Sequence, residues 1–528
     1  MEPRGLLALV LHTHLPFVRH PEHPEFLEER WLFEAITETY LPLLERFHRL
    51  AEEQVPFRIT MSFTPPLLAM LADGLLQARY LRHLEALIEL SAKEIERTRW
   101  QPPFHRLALF YHHRFTSARR LYLESYRHDV IGAFRALAER GVLEPIASCA
   151  THGYLPLMDL QPDAVRAQIR IGVQVFERAF GRRPAGFWLP ECGYHPGHDA
   201  LLKEEGVRYF LIDSHGILFG SPRPKYGVYA PAICPSGVAA FGRDMESSKS
   251  VWSAEEGYPG DFDYREFYRD IGFDLDYDYV RPYLNGDGTR LNTGIKYHRI
   301  TGKTNDKAPY DPDRALEKAA AHAANFLFNR SKQVEYLASA MDRRPLIVSP
   351  YDAELFGHWW FEGPDWLERV VRKAATDQRD VRLIAPVDYF QEYPTNQVLQ
   401  PSLSSWGNGG YSDVWLNGAN DWLYRHLHQM AERMTQAAHD YPDPDPLRAR
   451  LLAQMARELL LAQSSDWAFI LKTQTHATYA YRRIHDHLAR FGTLDDALRR
   501  GRVDEEWFAG VEAKDNCFPF LDYRVYAA

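Results

Sequence analysis

At 528 residues the chain is long enough for one large core plus a second domain, and its net charge of −9, with 62 Lys and Arg against 71 Asp and Glu, argues against nucleic acid as its main partner. It contains no run of 18 apolar residues, and the apolar segment after Arg4 is too short for a secretory leader, so we expect a cytoplasmic protein without a membrane span. The four cysteines lie far apart without a C-x-x-C pair, which argues against disulfides and a zinc ribbon and favours reduced thiols.

Short apolar runs recur along the first 390 residues, and each ends abruptly in polar residues. In chain order they occupy residues 6–14, 57–66, 144–154, 185–194, 208–216, 345–354 and 381–390. Continuous apolar runs of this length are typical of buried parallel strands, and helical patterns such as 163–180 and 313–342 lie between them. The alternation predicts an α/β barrel of about seven strands, in which catalytic groups lie at the carboxyl ends of the strands.

Two stretches interrupt this alternation. Residues 80–140 are long, charged and helical, whereas residues 217–310 are rich in Gly, Pro, Tyr and Asp, and we interpret both as insertions over the barrel mouth. A segment with the composition of a loop follows residue 390, and amphipathic helical patterns dominate beyond it. We therefore predict a catalytic barrel over residues 1–395 and an α-helical C-terminal domain over residues 396–528.

Glu191 is the first candidate catalytic residue. It lies in "WLPECGY", directly after an apolar run and beside Trp188 and Tyr194, where a charged group is costly unless something uses it. The structural alternative is a carboxylate paired with a core arginine.

Asp352 is the second candidate, again at the end of an apolar run, in "SPYDAELFGHWWFEGP", with Trp359 and Trp360 close behind it. If the strand extends two residues further, Glu354 points to the same side as Asp352. Glu354 then orients or assists Asp352, or is a solvated charge at the rim.

Two carboxylates among aromatic rings suit the cleavage of glycosidic bonds. One carboxyl group protonates the leaving oxygen while the other attacks the anomeric carbon or activates water. Aromatic faces match the apolar CH faces of sugar rings. The sequence therefore favours a carbohydrate-active enzyme, with both carboxylates at the mouth of the barrel.

A metal-dependent barrel hydrolase is the competing hypothesis. His12 and His14 in "HTH" follow the first predicted strand, and His195, His198 and the pair at 112–113 are possible further ligands. H-x-H is a common chance pattern, and no predicted strand end offers the remaining ligands of a two-metal site. We therefore prefer His12 as a hydrogen-bonding sugar ligand and predict no catalytic metal.

Other candidate groups are less specific. His152 in "SCATHGYLP" lies at another predicted strand end and is either a support for the nucleophile or a core histidine. Cys149 and Cys192 lack an activating motif and are interpreted as packing residues. No G-x-G-x-x-G or Walker pattern occurs, so no nucleotide cofactor is expected.

Five motifs in order along the chain resemble those of glycoside hydrolase family 57, and within it those of the α-glucan branching enzymes. They are "HTHLPF" (12–17), "ATHGYLP" (150–156), "WLPECGY" (188–194), "YDAELFGHWW" (351–360) and "SSDWAFI" (464–470). The resemblance spans about 460 residues. It implies a (β/α)7 barrel, a helical C-terminal domain and a retaining mechanism without a metal.

The resemblance also implies roles for individual residues. Glu191 takes the position of the nucleophile and Asp352 that of the general acid/base, while His12 and His152 match histidines of the donor subsite. Trp406, Trp415, Asp466 and Trp467 are expected in the acceptor cleft, with packing at the domain interface as the alternative. A mobile loop with Tyr226 or Tyr229 is expected over the cleft. The full set of predicted substrate-binding residues is His12, His14, His152, Trp188, Tyr226, Tyr229, Glu354, Trp360, Trp406, Trp415, Asp466 and Trp467.

These implications lead to a functional prediction. We expect a cytoplasmic 1,4-α-glucan branching enzyme that acts on amylose or glycogen-like chains in glycogen biosynthesis. An α-amylase or a 4-α-glucanotransferase with the same carboxylate pair is the alternative within the family. A catalytically silent glucan-binding protein is disfavoured, because both Glu191 and Asp352 are present.

Overall fold

A computed structural model describes residues 2–253, 255–284 and 288–527. Within these residues the strands form a curled, mostly parallel sheet at the centre of the molecule. They are β1 Gly5–Thr13, β2 Ile59–Phe63, β3 Leu143–Ser148, β4 Gly186–Trp188, β5 Tyr209–Ile212, β6 Ala232–Ile233, β7 Ala239–Gly242, β8 Leu346–Asp352 and β9 Val381–Leu383. All nine residues of β1 are buried, as expected of a strand that helices cover on both faces.

The strand order explains how the sheet curls into an incomplete barrel. The order is β6-β7-β5-β4-β3-β2-β1-β8, and β9 pairs with the start of β1. All pairs are parallel except β6 with β7. Between β7 and β8, the Asp244 N–H donates to the Val348 carbonyl oxygen at 2.8 Å, which joins the two sides. The predicted α/β barrel is thereby confirmed.

Each of the seven apolar runs contains a strand, but the sheet also includes β7, which the sequence analysis had assigned to an insertion. Its residues, Ala-Ala-Phe-Gly, are small and few, so they carry little of the β-branched signal by which strands are recognised. The segment 217–310 is therefore not a pure insertion, because β7 pairs with β5 over Ala239–Gly242. This places the residue after β7 at the same end of the barrel as the other strand ends.

Helices cover the sheet and make up the C-terminal part of the chain. They are α1 Glu29–Ala35, α2 Leu41–Glu52, α3 Pro65–Leu71, α4 Gly74–Arg97, α5 Pro102–Arg120, α6 Val130–Glu139, α7 Pro162–Phe180, α8 His198–Glu204, α9 Ser214–Leu218, α10 Met245–Trp252, α11 Ile271–Asp274, α12 Tyr277–Val280, α13 Pro312–Ala340, α14 Gly363–Thr376, α15 Tyr389–Glu392, α16 Asp421–Asp440, α17 Pro446–Ala462, α18 Ser465–Thr473, α19 Ala477–Arg500 and α20 Glu505–Lys514. Across the described ranges, no helix combines the length and apolar character that crossing a membrane requires.

The two segments interpreted as insertions pack against each other. Glu94 in α4 accepts hydrogen bonds from the hydroxyls of Tyr279 and Tyr297, both at 2.8 Å. From the second segment, the Arg265 backbone N–H donates to Glu362 at 3.0 Å, beyond the end of β8. These contacts fix the second segment beside the strand end that carries Asp352.

The C-terminal helices pack onto the carboxyl ends of the strands. The N–H of Ser465, the first residue of α18, donates to the His152 carbonyl oxygen at 3.1 Å, and His428 in α16 bonds the Leu157 carbonyl oxygen at 2.7 Å. Thr151 also donates to the Leu460 carbonyl oxygen of α17. As a result, α18 brings its first residues directly to the mouth of the barrel.

Candidate active site

Glu191 lies in a tight turn just beyond β4. Residues Pro190–Cys192 form a single 3-10 turn, and Glu191 has a φ of +60° and a ψ of 23°, in the left-handed region that non-glycine residues seldom adopt. The Glu191 carbonyl oxygen accepts a hydrogen bond from the Trp406 N–H at 2.9 Å. Such backbone strain is concentrated at functional sites, and here it aims a carboxylate into the barrel mouth.

Two side chains from the C-terminal part of the chain hold the Glu191 carboxylate. The indole N–H of Trp406 donates to Oε2 and the hydroxyl of Ser465 donates to Oε1, both at 2.7 Å. Burial raises the pKa of Glu191, while these two hydrogen bonds oppose the rise by stabilising the anion. The carboxylate is thus fixed in one orientation with two donors to its charged form.

Asp352 ends β8 and has different surroundings. In the parallel register it lies opposite His12, at the end of β1. Burial raises the pKa of Asp352 well above its ordinary value, and the nearby carboxylates of Glu354 and Glu191 raise it further against the opposing charge of Arg243. No described residue donates a hydrogen bond to this carboxylate. These surroundings favour the protonated form of Asp352 over its anion, and the protonated form is the one that can donate a proton.

Glu354 lies beside Asp352, but not in the way that strand alternation predicts. The strand ends at Asp352, and Glu354 lies in the 3-10 turn Ala353–Leu355. Its Oε1 accepts hydrogen bonds from the Tyr40 hydroxyl at 2.5 Å and from the His14 N–H at 3.3 Å. Burial raises the pKa of Glu354 to about 7. Glu354 therefore acts on Asp352 through its charge.

Three histidines and a tryptophan form a stack along the strand ends. His12 lies parallel to Trp188, with ring centroids 4.3 Å apart, and His152 lies between His12 and His14 at 4.9 and 3.9 Å. The Nε2 atoms of His12 and His152 are 3.0 Å apart, so the pair shares one proton. Burial lowers the pKa of both His12 and His152 well below the ordinary value, and both are neutral. Among the described residues, the groups of side chains that could hold a metal ion do not include the His12 and His14 of the competing hypothesis.

His14 is the member of this stack whose protonated form is favoured. Its Nε2 lies 2.9 Å from Oδ2 of Asp466 in α18. Burial alone would lower the pKa of His14, but the charge and hydrogen bond of Asp466 outweigh it and raise the pKa. The same pairing, against the effect of burial, lowers the pKa of Asp466 to about 2. An ion pair between the barrel and the helical domain therefore lies beside the carboxylates.

His152 reaches the nucleophile position through Ser465. The Nδ1 atom of His152 is 2.9 Å from the Ser465 hydroxyl, which in turn donates to Glu191. Of the aromatic residues predicted here, Trp188 and Trp406 adjoin Glu191 or the histidine stack, with their ring centroids 5.2 Å apart. The structure therefore brings together His12, His14, His152, Trp188, Glu191, Asp352, Glu354, Trp406 and Asp466.

Three predicted tryptophans are buried in the core and present no ring face to a ligand. Trp360 packs against Trp366 and Tyr264, with centroids 5.3 and 5.5 Å apart. Trp415 stacks on Tyr154 at 4.8 Å, and the indole N–H of Trp467 donates to the Leu461 carbonyl oxygen at 2.7 Å. Trp360 is buried among residues of the barrel part and Trp467 among the C-terminal helices, whereas Trp415 packs against Tyr154 of the barrel.

Tyr226 and Tyr229 lie at the other end of the barrel, which corrects the expectation that they cover the cleft. The Tyr226 hydroxyl donates to Asp342, and the Tyr229 carbonyl oxygen accepts from the N–H of Leu346, the first residue of β8. Parallel strands place their amino ends and carboxyl ends on opposite edges of the sheet. The segment therefore turns back toward the start of β8 before β6 begins.

The structure also brings in residues that the sequence analysis missed. Arg243 follows β7, lies over the ring of Trp406 and is the cation that opposes the rise in the pKa of Asp352. Ser465 was part of a quoted motif without being singled out, and Tyr40 lies in a π-helical turn, Ile36–Tyr40, far from any strand end. Recognition of β7 as a strand would have identified Arg243 as a strand-end residue.

Comparison with known proteins provides two family matches. The family model described as glycosyl hydrolase family 57 matches residues 8–402, and the one described as 1,4-alpha-glucan branching enzyme, C-terminal, matches residues 426–526. The 1,4-alpha-glucan branching enzyme TK1436 of Thermococcus kodakarensis is 34% identical over 98% of this chain and 77% of its own length.

Solved structures agree over the whole chain. The branching enzyme of this family from Pyrococcus horikoshii has a TM-score of 0.89 at 34% identity, over 99% of this chain and 97% of that one. The alpha-amylase AmyC of Thermotoga maritima has a TM-score of 0.93 at 47% identity, over 99% of both chains.

Proposed function

The chain belongs to glycosyl hydrolase family 57, and we propose that it is a retaining 1,4-α-glucan branching enzyme. The observation that carries the reaction class is the contrast between the two carboxylates at the barrel mouth. Glu191 receives two hydrogen bonds that stabilise its anion, whereas Asp352 receives none from any described residue and lies among negative charges. Environments that separate two carboxyl groups in this way assign one as nucleophile and the other as acid.

In the first step, Glu191 attacks the anomeric carbon of an α-1,4-linked glucose. The bond to the departing glycosidic oxygen breaks, and Asp352 gives that oxygen its proton, so that one glucan chain leaves with a free 4-hydroxyl. Asp352 is then ionised, and the donor chain remains bound to Glu191 as an ester. The hydrogen bonds from Trp406 and Ser465 fix the carboxylate in line for this attack.

In the second step, the 6-hydroxyl of another glucose unit attacks the same anomeric carbon. Asp352 takes the proton of the hydroxyl, the bond to Glu191 breaks, and an α-1,6 branch forms with retained configuration. Water in place of the hydroxyl gives hydrolysis. The C-terminal helices bring Ser465, Asp466 and the preceding Trp406 segment to this position, which supports a role for them in selecting the acceptor.

The substrate we propose is an α-1,4-glucan such as amylose or a glycogen-like chain. This substrate class is supported by the family match and by the relative named a 1,4-alpha-glucan branching enzyme. A role in glycogen biosynthesis in the cytoplasm follows as part of the proposal. All four cysteines are buried free thiols, which is compatible with a reducing compartment.

α-Amylase activity is the second candidate, favoured by the 47% identity to the AmyC alpha-amylase. The two candidates share the first step and differ only in what attacks the glycosyl ester. Incubation of the purified protein with amylose separates them. New reducing ends are counted directly, and branches are counted as chains released by a debranching enzyme.

For a branching enzyme we expect many α-1,6 branches with few new reducing ends. Reducing ends without branches would identify a hydrolase and overturn the transfer proposal. The matched control is Glu191→Gln, which removes the charge of the nucleophile and must abolish both products. Activity that persists in this variant would overturn the carboxylate assignment itself.

A further inference from the structure

We propose that Tyr40 is a positioning residue, whose hydroxyl holds the Glu354 carboxylate beside Asp352 and favours its ionised form. The hydroxyl donates to Oε1 of Glu354 at 2.5 Å, and Glu354 lies in the turn that directly follows Asp352. The inference rests on the proposed function, in which Asp352 is the acid. Tyr40 acts on the acid through Glu354, so its loss should change the titration of Asp352 rather than remove a reacting group.

A π-helical turn brings Tyr40 to this position. The turn, Ile36–Tyr40, interrupts the continuous helix that α1 and α2 would otherwise form. Turns of this kind are rare within helices and are frequent at functional sites, because the wider turn redirects the side chains that follow. All five residues are buried, including the polar Thr37, Glu38 and Thr39. Buried polar side chains are costly unless they are paired, so specific partners must hold the turn.

Glu38 supplies the strongest of these pairings. Its Oε2 lies 2.7 Å from Nδ1 of His358, and its Oε1 accepts from both terminal nitrogens of Arg265 at 3.4 Å. Burial alone would raise the pKa of Glu38, but the charges of Arg265 and His358 lower it to about 2. The same pairing raises the pKa of His358 against the effect of burial. The ionised Glu38 therefore ties the π-helical turn to the segment beyond β8.

The backbones of the two segments are also in direct contact. Gly357, three residues beyond Glu354, has a φ of +109°, and a Cβ atom at this position would lie 1.8 Å from the Glu38 carbonyl oxygen. Only glycine has both the conformation and the space that this approach requires. The loop that contains Glu354 thus lies against the turn that contains Tyr40, which fixes the distance between the two side chains.

The groups that face Glu354 show what the Tyr40 hydroxyl adds. The backbone N–H of His14 also donates to Oε1, at 3.3 Å, and the charge of the protonated His14 ring lowers the pKa of Glu354. Burial and the adjacent Glu354 raise the pKa of Tyr40 well above its ordinary value, so its hydroxyl stays protonated and remains a donor. A donor of this kind stabilises the carboxylate anion and not its protonated form.

The effect on Asp352 follows from this hydrogen bond. Without the Tyr40 hydroxyl, Glu354 keeps its proton to a higher pH, and its negative charge is then present over less of the pH range. That charge is one of those that raise the pKa of Asp352, whereas the charges of Glu191 and Arg243 remain in place. Asp352 should therefore lose its proton at a lower pH when Tyr40 lacks its hydroxyl.

The test compares Tyr40→Phe with Tyr80→Phe through the pH dependence of kcat/KM on amylose, with bond cleavage counted as new reducing ends plus branches. The Tyr80 hydroxyl bonds the Thr37 hydroxyl at 3.1 Å, so the control removes a buried hydroxyl from the same turn without touching a carboxylate. Tyr40→Phe should move the alkaline limb toward lower pH by about 0.5 unit or more, and Tyr80→Phe should not move it. In a Glu354→Gln background, Tyr40→Phe should add little further shift. An unmoved limb in Tyr40→Phe, an equal shift in Tyr80→Phe, or additive shifts in the double variant would overturn the proposal.

A second readout needs no substrate. Because the hydroxyl stabilises the Glu354 anion, Tyr40→Phe should lower the urea unfolding midpoint more at about pH 9 than at about pH 5, on the two sides of the pKa of about 7. The cost of Tyr80→Phe, whose partner is a hydroxyl, should be the same at both pH values. An equal cost of Tyr40→Phe at both would overturn the proposal. If the unfolding result is as expected and the parent does not act on amylose, the proposed function fails and the role of Tyr40 in holding the Glu354 anion stands.

Discussion

Glu354 at the barrel mouth and Glu458 in the helical domain have the same elevated pKa and different surroundings. Burial raises the pKa of each to about 7. Glu458 is enclosed between α17 and α19, where it bonds Nδ1 of His487 at 2.6 Å and accepts from Gln454 at 2.9 Å. Glu354 instead lies beside Asp352, whose carboxylate has no described hydrogen-bond donor.

The neighbours of each glutamate explain the difference. In the helical domain, Asp515 is paired with Arg490 at 2.7 Å, so the buried charges there are neutralised in place. At the barrel mouth, Asp352 lies between Glu354 and Glu191, and Arg243 only partly offsets them. An elevated pKa therefore reflects burial in both regions. The feature that indicates a catalytic role is the carboxylate of Asp352, which lies at a strand end without a described hydrogen-bond donor.

The most direct test of this comparison is to neutralise one carboxylate in each region. Glu191→Gln should lower kcat on amylose by about 10⁴-fold or more, because the amide cannot form the glycosyl ester. Glucan binding should persist. Glu458→Gln, which neutralises a more deeply buried carboxylate, should retain most of the activity at 25 °C if circular dichroism confirms its folding. Comparable losses in the two variants would contradict the assignment.

Asp352→Asn should have the next largest effect, with kcat on amylose lowered by about 10²–10⁴-fold, because the leaving oxygen is no longer protonated. A glucoside with a strongly acidic phenol as leaving group needs no such proton, so formation of its glycosyl ester should be much less impaired. Burst and steady-state kinetics on both substrates measure this contrast. An equal loss in the first step on the two substrates would exclude Asp352 as the acid.

The substitution Glu354→Gln tests the comparison through the pH dependence of kcat/KM. At high pH the ionised Glu354 raises the pKa of Asp352, so removal of that charge lowers it. Asp352 then loses its proton at a lower pH, and the alkaline limb of kcat/KM should move toward lower pH with a smaller change in the maximum. An unmoved alkaline limb would show that the charge of Glu354 does not reach Asp352.

The smallest effect on activity, and the clearest on stability, is expected from Glu458→Gln. Because the folded-state pKa of Glu458, about 7, lies above its ordinary value of 4.5, folding favours the protonated form. Its contribution to stability is complete below about pH 4.5 and is lost as the pH rises through about 7, a change on the order of a few kcal/mol. Urea unfolding midpoints at about pH 5 and pH 8 should therefore differ less in the variant than in the parent. An identical pH dependence in both would refute this role for Glu458.

Much of the fold could be predicted from the sequence, because buried parallel strands leave long apolar runs. All seven such runs contain strands, and the polar residues that end them include Glu191 and Asp352. β7 was not recognised because a strand of four residues, Ala-Ala-Phe-Gly, carries little of the apolar pattern of a strand. Arg243, which follows β7, was missed as a consequence. Tyr226 and Tyr229 were assigned to the wrong end of the barrel, because the sequence of an irregular segment does not indicate at which end of the barrel it lies.

The sequence by itself determined which residue types end the strands, and hence the two carboxylates proposed as the catalytic pair, since strand periodicity and the polarity of strand ends are local properties. Only the tertiary structure decided how those residues differ. The donors that hold Glu191 come from Trp406 and Ser465, more than 200 residues along the chain. Of the charges around Asp352, that of Glu354 is local, but those of Glu191 and Arg243 come from other loops. Burial, hydrogen bonding and charge depend on distances between segments that are remote in sequence, and in the proposed mechanism these decide which carboxylate attacks and which one donates the proton.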